Sequence, residues 1–153
     1  MNPAVNLRFA SHEDASAVYD LVCQLAIYEK LEHEVTSSVA DFERMLRDAN
    51  SKVEVLLAET GEQAVGFALF FENFSTFRGK PGLYLEDLFV MPAWRRRGIG
   101  LALLDRLLRL ARDRGYGRVD WAVLDWNEPA IRFYTEKLGA AVLNEWRLCR
   151  ITL

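Results

Sequence analysis

Arg95-Arg-Arg-Gly-Ile-Gly100 is the stretch from which the architecture of this 153-residue chain can be predicted. It follows a strand-like run, Leu83 to Val90, and precedes a helical apolar pattern from Ile99 to Arg114. A strand, a glycine-containing turn and a helix start therefore follow one another. Glycine at 98 and 100 lets backbone N–H groups approach a ligand, and the unpaired N–H groups of the first helical turn add partial positive charge. The stretch therefore predicts a phosphate-binding turn.

Two common phosphate-binding motifs do not match this stretch. The sequence contains no Gly-x-x-x-x-Gly-Lys-Ser/Thr run, and the third glycine of a dinucleotide-binding fingerprint would fall at Leu103. We interpret the loop as a pyrophosphate-binding turn of another kind. The backbone N–H groups from Arg96 to Gly100 would bind the phosphate oxygens, and the three arginines would add positive charge.

Two motifs, in this order, resemble those of the GCN5-related N-acetyltransferase (GNAT) family. Arg95-x-x-Gly98-x-Gly100 is similar to its coenzyme A signature, and the stretch from Asn127 to Gly139 is similar to its downstream motif. Further segments resemble the diamine branch of the family, the spermidine/spermine and thialysine N-acetyltransferases. They are Tyr28-Glu29, Leu83 to Met91 and Trp126 to Tyr134. The resemblance extends from about Val5 to Leu148.

The order of predicted elements is that of an α/β protein. Strand patterns cover 5–9, 53–59, 63–71, 83–90 and 119–124, with a final hairpin of 141–144 and 146–152, and helical patterns cover 13–28, 39–48, 99–114 and 129–137. Ser11 and Asp14 have the spacing of a helix cap, and Thr60-Gly61-Glu62 predicts a tight hairpin. We expect one GNAT-like domain over residues 1–153. It would have a mixed central sheet of about six to seven strands, helices on both faces, and a site where two central strands splay apart.

Composition and charge narrow the classes of function. A formal net charge of -3 disfavours nucleic acid as the main partner, because binding to a phosphate backbone depends on a basic surface. No apolar run approaches the roughly 20 residues of a membrane span. Cys23 and Cys149 lie in apolar sequence, which indicates buried thiols in a reducing compartment. His12 and His33 have no other ligand at metal spacing. We expect a cytoplasmic protein with no metal, nucleic-acid or membrane partner.

The resemblance implies that acetyl-CoA is the co-substrate. Its pantetheine arm would pair with the strand backbone at Leu88, Phe89 and Val90. Asn127 would bond the arm or brace the splayed strand, unless it serves only as a helix N-cap. The residues implied in coenzyme binding are Leu88, Phe89, Val90, Arg95, Arg96, Arg97, Gly98, Ile99, Gly100, Asn127, Ala130 and Tyr134.

Acetyl transfer to an amine requires a neutral nitrogen and a proton for the departing thiolate. Freeing an alkyl ammonium with a pKa near 10.4 of its proton costs roughly 4 to 5 kcal/mol at neutral pH. The resemblance implies Glu86 as the base, acting through water. Strand alternation would send Asp87 to the opposite face, where it would brace backbone or an arginine, although both carboxylates could be structural ion-pair partners. Tyr134 is implied as the acid, since a phenol stays protonated at neutral pH, with plain packing as the alternative.

The acceptor is expected to be a small cation. Tyr28 and Glu29 match a substrate-contacting pair of the diamine branch, and Glu86 would be the third contact. Residues 75–77, Ser-Thr-Phe, depart from the spermidine/spermine pattern, so a short diamine or a thialysine-like amino acid is at least as well supported as a polyamine. We predict acetyl transfer to a primary amine by direct attack in a ternary complex, carried out by a homodimer. The alternatives are a protein or peptide N-acetyltransferase and a non-catalytic acyl-CoA sensor.

Overall fold

A computed structural model describes residues 4–153. The chain divides into two compact units, one ending at Ala122 and the other comprising Val123–Leu153. The first unit contains β1 (Asn6–Phe9), α1 (Ala15–Glu29), α2 (Val39–Arg47), β2 (Val53–Thr60), β3 (Gln63–Ser75), β4 (Lys80–Val90), α3 (Ile99–Asp113) and β5 (Val119–Trp121). The second contains α4 (Glu128–Arg132), which continues into a π-helical turn (Phe133–Lys137).

Within residues 4–122, the sheet has five strands in the order β1-β2-β3-β4-β5. Neighbouring strands are antiparallel except β4 and β5, which are parallel. The sheet is therefore mixed, as predicted, and the hairpin turn at Gly61, with φ of 62°, joins β2 to β3.

The predicted count of six to seven strands is wrong. Residues 141–144 and 146–152, expected to form a final hairpin, lie outside any strand, and β5 ends at Trp121. The C-terminal residues have an apolar pattern suited to a strand, but a strand requires partners for its backbone N–H and C=O groups. Leu148 and Ile151 instead expose 74% and 88% of their surface.

The predicted helices on both faces of the sheet are present. α1 buries Val18, Leu21 and Leu25 against alternate residues of the sheet, and the apolar side of α2 packs against the same cluster. The sheet members of that cluster are Val55, Leu57, Phe67, Leu69 and Phe89. Side chains between them on β2 and β3, such as Leu56 and Ala68, are buried on the opposite face, which α3 covers with Leu103, Leu104 and Leu107.

Arg8 of β1 joins the turn before α1 to β2. Its guanidinium donates to both carboxylate oxygens of Asp14, at 2.8 and 2.7 Å, and to Glu59 of β2, at 2.9 and 2.6 Å. Asp14 also accepts from the backbone N–H of Ser11, which confirms the predicted cap. Hydrogen bonds from Arg8 are the largest cause that lowers the pKa of Asp14 to about 2.

Neither cysteine of the chain is fully buried. Cys149 is exposed and Cys23 only partly buried, so the expectation of two buried thiols is wrong. Within residues 4–153, the helices are too short or too polar to cross a membrane.

Candidate active site

The β4–β5 ladder is short. It pairs Leu83 with Val119 and ends where Leu85 pairs with Trp121. β4 continues to Val90, paired with β3 on its other side. In the described part of the chain, β4 therefore has no ladder partner on the β5 side from Glu86 onward, which is the position predicted for the site.

The antiparallel β3–β4 ladder fixes which backbone groups of β4 face away from β3. The N–H of Met91 donates to the carbonyl of Val65 at 2.9 Å. Because hydrogen-bonded and non-hydrogen-bonded pairs alternate in such a ladder, Phe89 also bonds to β3, whereas Leu88 and Val90 direct their N–H and C=O groups to the other side. Leu88 and Val90 can therefore contact an extended ligand arm through their backbone. The predicted backbone contact at Phe89 does not fit this pattern.

The loop after β4 prepares an open helix start. Gly98 has φ of 80° and precedes α3, whose first helical hydrogen bond runs from the N–H of Ala102 to the carbonyl of Gly98 at 2.9 Å. The N–H groups of Ile99, Gly100 and Leu101 precede that bond, and no side chain within residues 4–153 caps them. Ile99 buries its side chain, so it offers only backbone to a ligand. This arrangement fits a pyrophosphate group.

The three arginines of the loop differ in their surroundings. Arg96 is exposed and has φ of 60°, and Arg97 is exposed and lies 4.8 Å from the centroid of the Trp94 ring. Arg95 is partly buried, and its Nε donates to the carbonyl of Val90 at 2.9 Å. Only Arg96 and Arg97 therefore present their charge at the surface beside the start of α3.

A β-bulge changes the directions of the two acidic side chains in β4. Asp87 pairs with Leu69 of β3, and Leu85 pairs with the next β3 residue, Phe70, so Glu86 is the extra residue. The expectation that strand alternation separates Glu86 from Asp87 is wrong, because a bulge interrupts the alternation. Both residues line the same cavity.

This cavity, of about 360 Å³, lies between the C-terminal half of α1, the segment after it, and β4. Its lining residues are Val22, Leu25, Ala26, Glu29, Leu31, Glu34, Val35, Thr36, Ser37, Glu86 and Asp87. α1 therefore supplies an apolar wall and the carboxylate of Glu29. Tyr28, the residue before Glu29, has its ring centroid 6.5 Å from that of Phe89. The predicted contacts Tyr28, Glu29 and Glu86 thus lie in one region.

The cavity is electrostatically unusual. Burial, and then the negative charges of Glu86 and Glu29, raise the pKa of Asp87 to about 7. Burial also raises the pKa of Glu29. Among the ion pairs of residues 4–153, none involves Glu29, Glu86 or Asp87, so the structural ion-pair interpretation and the arginine partner expected for Asp87 are both wrong. The sequence analysis gave Asp87 only a bracing role. Two adjacent acids inside an apolar strand were the signal that could have indicated a functional role for Asp87 as well.

The second unit holds the remaining predicted residues. Asn127 is buried, and its Oδ1 accepts from the N–H of Ala130 at 3.4 Å. Its backbone carbonyl accepts from Ile131 at 3.0 Å. Asn127 therefore is an N-cap of α4, and this cap uses the N–H of Ala130. Its role in bonding the pantetheine arm or bracing the strand stays a prediction. Tyr134 lies in the π-helical turn, a feature frequent at functional sites. Its carbonyl accepts from the N–H of Ala140 at 3.0 Å.

Comparison with known proteins agrees with this fold. A solved structure from the mobile metagenome of V. cholerae, integron cassette protein VCH_CASS6, superimposes with a TM-score of 0.79 at 25% identity over 97% of this chain and 92% of that protein. The model of the acetyltransferase (GNAT) family matches residues 16–140. The chain therefore belongs to the GNAT family, and the predicted enzyme class, an acetyltransferase, is confirmed.

Two relatives connect the chain to amine acetylation. The thialysine N-epsilon-acetyltransferase of Caenorhabditis elegans is 37% identical over 123 residues, which cover 80% of this chain and 74% of that enzyme. The L-ornithine N5-acetyltransferase NATA1 of Arabidopsis thaliana is 51% identical over 87 residues. That match covers 57% of this chain and 38% of the plant enzyme. These relatives confirm the predicted resemblance to the diamine branch of the family.

Proposed function

We propose that the chain transfers an acetyl group from acetyl-CoA to a primary amine of a small cationic substrate, by direct attack in a ternary complex. The observation that carries the proposal is the cavity in which Glu29, Glu86 and Asp87 meet. Three carboxylates without a cationic partner in the described structure attract a cation. We further propose that residues 1–153 act as one N-acetyltransferase domain.

Acetyl-CoA would supply an acetyl thioester, the activated form of the group to be transferred. The N–H groups at the start of α3 would bind its pyrophosphate, helped by the charges of Arg96 and Arg97. The outward-facing backbone of Leu88 and Val90 would hold the pantetheine arm like an added strand. Part of the outward backbone is already used, because the carbonyl of Val90 accepts from Arg95.

Glu86 would take the proton of the ammonium through water, and Asp87 would serve as a second acceptor. An amine with a pKa near 10.4 lies about 6 units above an ordinary Glu with a pKa near 4.3. Asp87, with a pKa of about 7, lies much closer to the amine. Each unit corresponds to about 1.36 kcal/mol, so the environment of Asp87 lowers the cost of proton transfer substantially. The negative charges that raise its pKa also stabilise the bound cation.

Tyr134 would protonate the thiolate that leaves after the amine attacks. An ordinary phenol has a pKa near 10, so it is protonated at neutral pH and close enough in pKa to an alkyl thiol to donate a proton to the thiolate. The position of Tyr134 in a π-helical turn supports this role, because such turns are frequent at functional sites.

The acceptor class follows from the cavity and the relatives. A volume of about 360 Å³ is near the lower end of small-molecule sites and suits an amino acid such as thialysine or ornithine, or a short diamine. The named substrates of the two relatives are amino acids with a side-chain amine.

A homodimer is also proposed, supported by the exposed apolar side chains of the second unit, such as Trp146, Leu148 and Ile151. The cytoplasmic location stays a prediction.

The proposed function is tested by thiol release from acetyl-CoA with purified protein. The amine panel is thialysine, ornithine, lysine, putrescine, spermidine, spermine and a lysine-containing peptide. A clear kcat/KM advantage for one free amine is expected, with Glu86→Gln and Tyr134→Phe reducing it. Preference for the peptide would support a protein acetyltransferase. Tight coenzyme binding without release for any amine would support the sensor alternative and contradict the proposal.

A further inference from the structure

Arg95 lies in the loop expected to bind phosphate, but its side chain is directed elsewhere. Its Nε donates to the Val90 carbonyl at 2.9 Å, on the edge of β4 that faces away from β3. Unlike the exposed Arg96 and Arg97, it is partly buried. Its principal polar contact is therefore with the strand edge assigned above to the pantetheine arm.

The same guanidinium contacts two aromatic rings. Its central carbon lies 4.5 Å from the centroid of the Tyr28 ring and 5.4 Å from that of the Phe89 ring. Tyr28 belongs to the last turn of α1, where the next residue, Glu29, lines the acidic cavity. The Arg95 side chain thus contacts both β4 and the last turn of α1, which lies beside the acidic cavity.

These contacts are of kinds that hold side chains in one arrangement. A cation over an aromatic face is attracted to it, more strongly when partly desolvated, and a hydrogen bond from a charged donor is stronger than a neutral one. The planar guanidinium of arginine can make the hydrogen bond and the ring contact at the same time. A lysine side chain has no nitrogen at the position of the arginine Nε, so it cannot donate from there. A movement of Val90 would therefore be transmitted through Arg95 to Tyr28.

We propose that Arg95 is a positioning residue that ties the acceptor-site end of α1 to the coenzyme-binding edge of β4, so that coenzyme and amine each strengthen the binding of the other. The inference rests on the proposed function and deepens it. It replaces the direct phosphate contact that the sequence implied for the Arg95 side chain. Because binding free energies are reciprocal, the strengthening must be equal in both directions.

The test compares Arg95→Gln, Arg95→Lys, Tyr28→Leu, Tyr28→Phe and the double variant Arg95→Gln/Tyr28→Leu. The control is Arg106→Gln, which removes another cation–ring contact, 5.7 Å from the centroid of Phe9 on β1. The readouts are kcat and KM for thialysine and ornithine, and calorimetric binding of each amine with and without coenzyme A.

We expect Arg95→Gln and Tyr28→Leu each to raise the amine KM by about tenfold, given the usual strength of such contacts. The double variant should exceed the larger single effect by less than about twofold, because both changes remove the same contact. Tyr28→Phe, which keeps the ring, should cost less than Tyr28→Leu. Arg95→Lys should lose most of the mutual strengthening, and Arg106→Gln should keep it.

Multiplicative effects of Arg95→Gln and Tyr28→Leu on the amine KM would overturn the inference. Unchanged mutual strengthening in both Arg95 variants would overturn it too, while leaving the proposed function intact. Failure of the unsubstituted protein to bind any amine would instead contradict the proposed function, and the inference with it. The coenzyme dissociation constant and thermal midpoint of each variant separate these outcomes from misfolding.

Discussion

Asp87 and Glu86 are neighbours in the chain, but only Asp87 pairs with a β3 residue, Leu69, because Glu86 is the extra residue of a bulge. The bulge brings both carboxylates to the cavity that Glu29 also lines. Burial of the Asp87 carboxyl, and then the negative charges of Glu86 and Glu29, raise the pKa of Asp87 to about 7. The local backbone irregularity therefore sets the proton chemistry of the site.

Asp87→Asn is expected to alter the pH dependence of kcat/KM. If the ionised carboxylate acts as a proton acceptor, activity of the unsubstituted protein falls as the pH drops through about 7. The substitution should remove this inflection and reduce kcat/KM by about 10²-fold or more. Glu34→Gln, which removes another charge lining the cavity, should retain the inflection. The same inflection in Asp87→Asn would contradict the assignment.

The same substitution is expected to stabilise the fold at alkaline pH. Asp87 has a higher pKa when folded than the ordinary value of 3.8, so its ionisation costs stability as the pH rises from about 4 to about 7. At about 1.36 kcal/mol per pKa unit, ionised Asp87 lowers the free energy of unfolding by at most on the order of 4 kcal/mol above pH 7. Urea unfolding at pH 8 should show Asp87→Asn to be more stable, with the difference vanishing near pH 4. Equal stability at both pH values would argue against the raised pKa.

Gly98→Ala is expected to weaken coenzyme binding. The left-handed backbone of Gly98, with φ of 80°, costs roughly 1 to 2 kcal/mol for a residue with a Cβ, although there is space for the methyl group. Relaxation of this strain would move the start of α3, so the KM for acetyl-CoA should rise. Gly61→Ala is a matched control, because Gly61 has φ of 62° and equally open surroundings in the β2–β3 hairpin. Gly61→Ala should lose similar stability while its KM for acetyl-CoA stays unchanged. An equal rise of the acetyl-CoA KM in both variants would contradict the assignment of the effect to the start of α3.

Tyr134→Phe is expected to lower kcat by about 10- to 100-fold while leaving the coenzyme dissociation constant nearly unchanged. The variant keeps the ring and removes only the proton donor. Stopped-flow thiol release and calorimetry measure the two quantities. Tyr116→Phe removes a phenol that donates to Glu72 at 2.6 Å and should leave kcat unaltered. An unaltered kcat in Tyr134→Phe would exclude the acid assignment.

Asp14→Asn is expected to destabilise the protein near neutral pH. The folded pKa of about 2 is below the ordinary 3.8, so the contribution is complete above about pH 4 and disappears as the pH falls toward 2. Partial exposure of Arg8 reduces the effect of this ion pair to about 1 to 2 kcal/mol. Asp105→Asn disrupts the exposed Asp105–Arg109 pair and should cost less than 1 kcal/mol. Urea unfolding at pH 7 gives both values, and equal losses would contradict the prediction.

Features encoded by local sequence were predictable. The turn at Gly98, the hairpin at Gly61 and the cap at Asp14 depend on residues within a few positions of each other. The bulge at Glu86 was not predictable, because it depends on how β3 and β4 align. The direction of the Arg95 side chain likewise depends on Tyr28, which is remote in sequence. The apolar pattern of residues 141–152 was misleading, since a pattern does not supply a pairing partner.

The cost of burying Asp87 has a consequence for protein engineering. A screen that selects variants only for heat resistance should favour replacement of this residue by a neutral one. Such a screen would enrich well-folded proteins with a defective acceptor site, the recurrent conflict between stability and activity. Libraries built on this chain should therefore keep position 87 fixed or select for amine turnover at the same time.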